Sequence, residues 1–346
     1  MTVHPTISKK LKVTVVAPDL SGGGVTRVYL LAKVLQHLNY EVEVVGFRFG
    51  SKVYPTPPPD LPVYAVPGSH YPKLLCAIPQ LLKRITGDVV YAVKPKPTSF
   101  GIALLKQLLS HRPVMVDIDD WELSWLGGDR NYQPTPKQLI KDLLYRDGAL
   151  RNPEHRLYLE WMETLVKRAN VVTVDTEFLK RRFGGIYLPN GKDTHLFNPD
   201  HFDPDASRRA YGLADYRVLM FPGTARPHKG LEDILQALDA LNQPDLRLVI
   251  VGGRKPDDYD DRLIQQWGRW IVRLPTFPSE KMPEVVAAAH VVVVPQRRSP
   301  TAEAQFPLKL TDGMAMAKPI LSTYVGDIPE ILGEAGYLVE PNAPDQ

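Results

Sequence analysis

The chain has 346 residues, 44% hydrophobic and 23% charged, ordinary proportions for a folded globular protein of about two domains. Its 42 Lys and Arg against 39 Asp and Glu leave a net charge of +3, too small a bias to imply a nucleic-acid partner. The single cysteine, Cys76, excludes an intrachain disulfide and a Cys-rich zinc site, and no stretch reaches the roughly 18 apolar residues of a membrane-spanning helix.

The opening MTVHPTISKKLKVTVVAPDL runs straight into a strand without the apolar core of a signal peptide. With the lone cysteine this sets the expectation of a cytoplasmic location. LKVTVVAP (11–18) reads as a buried strand, VTRVYLLAKVLQHL (25–38) as a helix and YEVEVVGF (40–47) as the next strand. A β-α-β start of this kind predicts a parallel, doubly wound sheet. YPTPPPDLP (54–62) is a surface loop, and Cys76, in YPKLLCAIPQLLKRI, is expected to be buried on a helix. DVVYAV (88–93) and PVMVDI (113–118) continue the sheet, with a helical SFGIALLKQLLS between them. The less regular SWLGGDRNYQPTPKQLIKDLLYRDGALRNPEH reads as a partly helical insertion, followed by a helix around 155–169 and the strand NVVTVDT (170–176).

An Asn-, Asp- and Pro-rich segment within 190–215 marks the domain boundary; we set the domains at 1–195 and 196–346. Beyond it the alternation restarts with strand YRVLMFPG, helix GLEDILQALDAL, strand LRLVIVGG, helix PDDYDDRLIQQWGRW and strand IVRLPTF. Helix SEKMPEVVAAAH, strand VVVVPQ, helix FPLKLTDGMAMA and strand KPILSTY follow. The fold class expected is α/β, two Rossmann-like doubly wound parallel-sheet domains facing a cleft, with ligands at the carboxyl ends of the strands.

Four segments carry chemistry. Gly22, Gly23 and Gly24 separate the first strand from the first helix, where glycine lets backbone N–H groups approach a ligand and the helix N-terminus adds partial positive charge. A dinucleotide site is disfavoured because Arg27 occupies the third glycine position of that fingerprint and VVGFRF ends without an acid. Asp117, Asp119 and Asp120 in VMVDIDDWE suit a metal, an acceptor hydroxyl or helix capping; contact with an acceptor hydroxyl is the reading we carry forward. FPGTARPHKG (221–230) presents Arg226 and Lys229 in a glycine-framed strand-to-helix turn. Its order is wrong for a P-loop, yet two cations can neutralise a diphosphate directly. His228 is expected at the surface. In 299–332, Phe306, Pro307 and Lys309 lead into a helix expected to expose Asp312 and bury Leu310, Met314 and Met316. Acids at this place can accept hydrogen bonds from sugar hydroxyls.

Taken together these residues resemble the retaining, GT-B-fold glycosyltransferases of family 4. GGGVTRVYLLAKVLQHLNYEVEVV is similar to that family's glycine loop, helix and HEV strand, and YLPNGKDTHLFNP to its PNGVDxxxFxP signature. FPGTARPHKGLEDILQAL resembles GRxxxxKGxxxLIxAL, and the 299–332 region resembles the closing block with Glu-x7-Glu, EAMAxGxPVVAT and GGxPEI. The resemblance implies a nucleotide-diphosphate sugar donor held by the C-terminal half and a glycan, lipid-linked or small-molecule acceptor held by the N-terminal half. It implies no resident metal or other cofactor. Catalytic roles fall to Arg226, Lys229, Glu303 and Asp119, and donor binding to Gly23, Gly24, Thr224, Lys309, Leu310 and Asp312.

The family pattern is broken at identifiable places. Ala304 stands where the first motif Glu belongs, with Glu303 one residue off, and Asp312 is one methylene shorter than the second. Thr224 stands in place of a phosphate-binding Arg, and Asp119 in place of the N-domain His. The resemblance leaves open a non-catalytic nucleotide-sugar-binding module and a sugar-nucleotide epimerase. It also leaves open a peripheral contact at the inner face of the membrane through YPKLLCAIPQLLKRI.

Overall fold

The computed structural model of the protein describes residues 10–22, 24–130, 134–145, 148–253 and 258–346. The chain divides into two compact units, Met1–Asp175 with Leu179–Leu188, and Thr176–Phe178 with Pro189–Gln346. The boundary set from sequence at 195/196 lies a few residues inside the second unit. Among the described residues no helix is long and apolar enough to cross a membrane.

Short β-branched runs build the first unit's sheet from β1 (Lys12–Ala17), β2 (Glu41–Arg48), β3 (Val63–Pro67), β4 (Val89–Val93), β5 (Val114–Ile118), β6 (Val171–Val174) and β7 (Ile186–Tyr187). They pair in parallel in the order β3-β2-β1-β4-β5-β6-β7. Parallel neighbours need crossover connections. These are α1 (Val25–His37), α2 (Lys73–Arg84), α3 (Ile102–Ser110), α4 (Pro136–Leu144), α5 (Arg156–Leu165) and α6 (Glu177–Phe183). Val13, Val15 and Ala17 of β1 and Val42 and Val44 of β2 form one core with Val25, Val28, Leu31 and Ala32 of α1.

Several expectations are corrected here. The helix read around 155–169 ends at Leu165 and gives way to a 3-10 turn, Val166–Arg168. Cys76 lies on α2 as expected but is exposed. That helix buries only Leu74 and Leu81, a narrow stripe one side of which Cys76 does not share. Strands β3 and β7 went unread because these edge strands are only five and two residues long, β3 being framed by Pro62 and Pro67 and β7 following Gly184 and Gly185. Helix α4, inside the segment read as an insertion, buries no side chain at all.

In the second unit, α7 (Pro204–Ala210) precedes the sheet. Its sheet uses β8 (Arg217–Pro222), β9 (Leu246–Val251), β10 (Ile271–Leu274), β11 (Val291–Val294), β12 (Ile320–Thr323) and β13 (Tyr337–Val339). The order is β10-β9-β8-β11-β12-β13, again all parallel. Helices α8 (Leu231–Leu241), α9 (Tyr259–Trp267), α10 (Met282–Ala287), α11 (Pro300–Glu303), α12 (Leu308–Ala315) and α13 (Ile328–Leu332) connect the strands. Alternate residues serve opposite faces, as strand periodicity requires. Val249, Val251, Val292 and Val294 enter one core cluster, while Leu248, Ile250 and Val293 enter the other. Both faces of the sheet are therefore covered, which explains why these strands read as unbroken apolar runs.

Helix α12 corrects two further expectations. Asp312 is 8% exposed rather than solvent-facing, and Met314 is 39% exposed rather than buried. The buried arc runs through Lys309, Leu310, Asp312, Gly313 and Met316 and is centred near Gly313, whose Cα lies against Val292 and Ile320. Met314 falls just outside that arc.

Candidate functional site

In the second unit the chain leaves β8 through Gly223, Thr224, Ala225 and Arg226, makes a 3-10 turn over Pro227–Lys229, and enters α8 through Gly230. Gly230 has a φ of 65°, and a Cβ there would stand 1.9 Å from the Pro295 carbonyl oxygen. The turn is thus pressed onto the end of β11, and only glycine fits both the dihedral and the approach. Strands β8 and β11 are the pair between which this sheet reverses its winding direction, the position where such sheets bind ligands.

The turn's cations are held in place by this packing. Lys229 Nζ donates to Gln296 Oε1 at 3.1 Å and to Gln305 Oε1 at 3.2 Å, so two neutral amide oxygens aim the ammonium. Arg226 is half-buried at the start of the turn, as is Thr224. His228 is not the surface residue expected. Burial first, then Lys229, Arg226 and Lys309, push its imidazole down to about 3, which keeps it neutral among three cations.

Helices α11 and α12 contribute the rest. Glu303 is half-buried at the end of α11, its Cα 3.6 Å from where a Cβ on Gly326 would lie. Ala304 beside it is fully buried. Lys309 is 9% exposed, with Nζ 4.8 Å from the Phe221 ring centroid and Cε 3.3 Å from a Cβ position on Gly223. Asp312 forms an ion pair with Lys192, whose ammonium also lies 4.2 Å from the centre of the Phe197 ring. Leu310, grouped from sequence with the donor-binding residues, instead places its side chain in the core and donates its N–H to the Pro307 carbonyl at 2.8 Å. Arg226, Lys229, Lys309 and Asp312 thus lie around the end of β8 together with Lys192, Gln296 and Gln305. Lys192 was visible as the residue replacing Val in PNGVD; the two glutamines carried no signal in the sequence.

In the first unit, Gly24 follows β1 and Lys94 follows β4, the strands flanking that sheet's reversal of winding. A Cβ on Gly24 would be 3.7 Å from Lys94 Cε. Gly23 lies outside the described residues. Lys94 has a φ of 66°, a left-handed conformation that costs a side-chain-bearing residue about 1–3 kcal/mol and concentrates at functional sites. Its ammonium is 2.7 Å from Glu122, 3.3 Å from Asp119 and 3.8 Å from Asp120, while Lys96 bridges Glu122 at 3.0 Å and Glu154 at 2.6 Å. Burial alone would lower Lys94, but Asp119, Glu122 and Asp120 override it and hold the ammonium well above its ordinary value. Burial raises Glu122, and Lys94 with Lys96 overcome that to hold it at about 2. Asp119 moves the other way: burial raises it, Lys94 opposes, and Asp117 and Asp120 add to the rise. Asp175, at the end of β6, is raised further by burial and by Asp119.

Asp117 does not belong to this open cluster. It is fully buried and accepts two hydrogen bonds from Arg27 at 2.9 Å, with a third from Thr173 Oγ1 at 2.6 Å. Arg27 also donates to the Leu188 carbonyl at 2.7 Å. Of the three aspartates read as offering one or two contacts to an acceptor hydroxyl, Asp117 is thus enclosed by protein partners. Lys94 and Lys96 were missed from sequence; the signal was KPK directly after a strand at the reversal point. Among the described residues no group of three or more His, Cys, Asp or Glu side chains is arranged to hold a metal ion.

The family described as "Glycosyl transferase 4-like domain" matches residues 22–195, just over half of the chain. This chain belongs to that family. Residues 216–346 match a second family, "Glycosyl transferases group 1". Among curated relatives, a GDP-mannose-dependent alpha-(1-6)-phosphatidylinositol monomannoside mannosyltransferase of Mycolicibacterium smegmatis is 28% identical over 251 residues, 64% of each chain. An N-acetyl-alpha-D-glucosaminyl L-malate synthase of Bacillus anthracis is 22% identical over 345 residues, 96% of this chain and 84% of the relative. Matches to the first three curated relatives span 64%, 36% and 53% of those proteins' own lengths. Among solved structures, Anabaena HepE in complex with UDP-glucose superposes with a TM-score of 0.69 at 18% identity, covering 96% of this chain and 86% of that one. The fold is thus GT-B, with two Rossmann-like parallel-sheet domains.

Proposed function

We propose that the protein is a glycosyltransferase that moves a sugar from a nucleotide-diphosphate donor to a hydroxyl-bearing acceptor, with retention of anomeric configuration. The observation that carries this reading is the glycine-closed turn of Arg226, His228 and Lys229 at the reversal point of the second sheet, in a chain matched along both halves by glycosyl transferase families. Donor cleavage leaves added negative charge on the diphosphate. The Lys229 ammonium, already aimed by Gln296 and Gln305, interacts with that leaving group more strongly than with the intact donor, which lowers the barrier. In this reading Asp312 takes the ribose hydroxyls in the second unit, and Asp119 with Lys94 contacts the acceptor in the first. The acceptor attacks from the face the diphosphate leaves, and a diphosphate oxygen takes its proton.

Names of relatives mention both GDP-mannose and UDP-glucose, so both belong in a donor panel with ADP sugars. Release of one nucleoside diphosphate is expected, falling by more than about a hundredfold in Lys229→Ala. A panel in which no donor turns over and no nucleoside diphosphate binds contradicts the proposal. Ala304, buried and standing where the resembled motif has its first Glu, favours a second reading of binding without turnover; binding of a nucleotide with no turnover of any donor would select it.

A further inference from the structure

At the carboxyl end of the first unit's sheet, a cavity of about 200 Å³ is lined by Asp19, Phe49, His70, Thr98, Asn152 and Glu154. Asp19 follows β1, Phe49 follows β2, His70 follows β3 and Thr98 follows β4, and these four strands are neighbours in the order β3-β2-β1-β4. Residues 152–154 come from the insertion and are tied to the loop after β3. Arg151 donates Nε to the Tyr71 carbonyl at 3.0 Å, and its own carbonyl accepts the Tyr71 N–H at 2.8 Å. All of these residues belong to one unit.

The polar groups of this lining have atoms to spare. Thr98 is only 3% exposed, yet its hydroxyl makes no hydrogen bond with any other described residue, and a buried polar group of that kind calls for a partner. Asp19 Oδ1 accepts from the N–H groups of Ser21 at 2.8 Å and Phe49 at 3.3 Å, while Oδ2 accepts from no described residue. Glu154 commits Oε1 to Lys96 at 2.6 Å, and Asn152 commits Oδ1 to the Glu154 N–H at 2.9 Å. That leaves Glu154 Oε2 and the Asn152 amide N–H groups for a ligand. The Phe49 ring is fixed against Gly68, where a Cβ would stand 2.9 Å from it. Spare acceptors, spare donors and one aromatic ring around a small cavity suit a sugar ring, whose hydroxyls both donate and accept and whose C–H face covers an aromatic side chain. Among the described residues His70 and the acids are not arranged to hold a metal ion.

Charge narrows the class of sugar. Lys94 and Lys96 are set among Asp119, Asp120, Glu122 and Glu154, and Asp19 adds another acid to the cavity. Carboxylates therefore outnumber ammonium groups, and a phosphate or carboxylate brought here meets like charge. The same ion pairs run from Glu154 through Lys96, Glu122 and Lys94 to Asp119, joining the cavity to the acceptor contact proposed above.

We propose that this cavity is the acceptor subsite, that it takes an uncharged sugar ring, and that Asp19 and Glu154 exclude rings carrying phosphate or carboxylate. This rests on the glycosyltransferase reading above and selects among the acceptors which that reading leaves open.

The test is ligand-observed NMR titration of the intact protein with the methyl α-glycosides of glucose, mannose, galactose and N-acetylglucosamine, and with the 6-phosphates of the same rings. Calorimetry with UDP, GDP and ADP is run on the same samples. Wild type should bind at least one neutral glycoside, and its 6-phosphate about tenfold or more weakly. Phe49→Leu should weaken the neutral glycoside about tenfold with nucleotide affinity unchanged. Glu154 is exposed, so Glu154→Gln disturbs no packing. It removes one carboxylate and leaves Lys96 with Glu122 alone, and should shrink the discrimination against the 6-phosphate about tenfold. Three outcomes overturn this inference and leave the donor site standing: equal affinity for glycoside and 6-phosphate, discrimination unchanged in Glu154→Gln, or nucleotide binding with no glycoside bound. Glycoside binding without nucleotide binding overturns the glycosyltransferase reading and the acceptor role with it. Absence of both kinds of binding overturns both proposals.

Discussion

Arg27 and Asp117 are removed from water together, and their two-bonded pair ties α1 to β5. Thr173 and Tyr91 complete the network, Thr173 bonding Asp117 at 2.6 Å and Tyr91 sharing a 2.6 Å bond with Thr173. Removing one charge strands the other, so Asp117→Asn should destabilise the first unit by about 3–5 kcal/mol. Hydrogen exchange of β5 and α1 amides would check this, and protection unchanged within about 1 kcal/mol would refute it. His228 supplies a pH dependence. Its folded value is depressed to about 3, so between there and the ordinary 6.5 the unfolded state binds more protons. Stability of the second unit should therefore fall as pH drops below about 6.5, and His228→Asn should flatten that slope; identical acid melts of the two proteins would refute the assignment. At this scale the sequence was only partly legible. Charged residues announced themselves, but whether Asp117 was paired or open depended on Arg27, ninety positions away, which no local pattern reports.

Elements were more legible where they are fully covered and less so where they are not. Central strands such as β11, VVVV, read directly because both faces are buried. The edge strands β3 and β7 and the two-sided burial of α12 did not, since each depends on what packs beside it. The turn before α8 is the element on which the site depends most. Gly230→Ala must place a methyl group against the Pro295 carbonyl at an unfavourable φ, and should cost more than about 2 kcal/mol while lowering nucleotide affinity. Denaturation curves with parallel nucleotide titrations check both effects. An alanine variant with unchanged stability would show that the loop tolerates another conformation.

For the whole molecule, the alternation of strands and helices was enough to anticipate two parallel doubly wound sheets, because each crossover restricts the next strand's place. The site was legible as a set of motifs and became a geometry only through contacts between distant segments, Lys192 with Asp312 and Lys229 with Gln296 and Gln305. The central claim is that the second unit binds a nucleoside diphosphate through side-chain cations. Calorimetric titration of UDP, GDP and ADP in the presence of a chelator, on wild type and Lys229→Gln, tests it most directly. The account predicts saturable binding of at least one of them to wild type and a loss of about tenfold or more in the variant. Absence of binding by all three, or equal affinity in the two proteins, would contradict it.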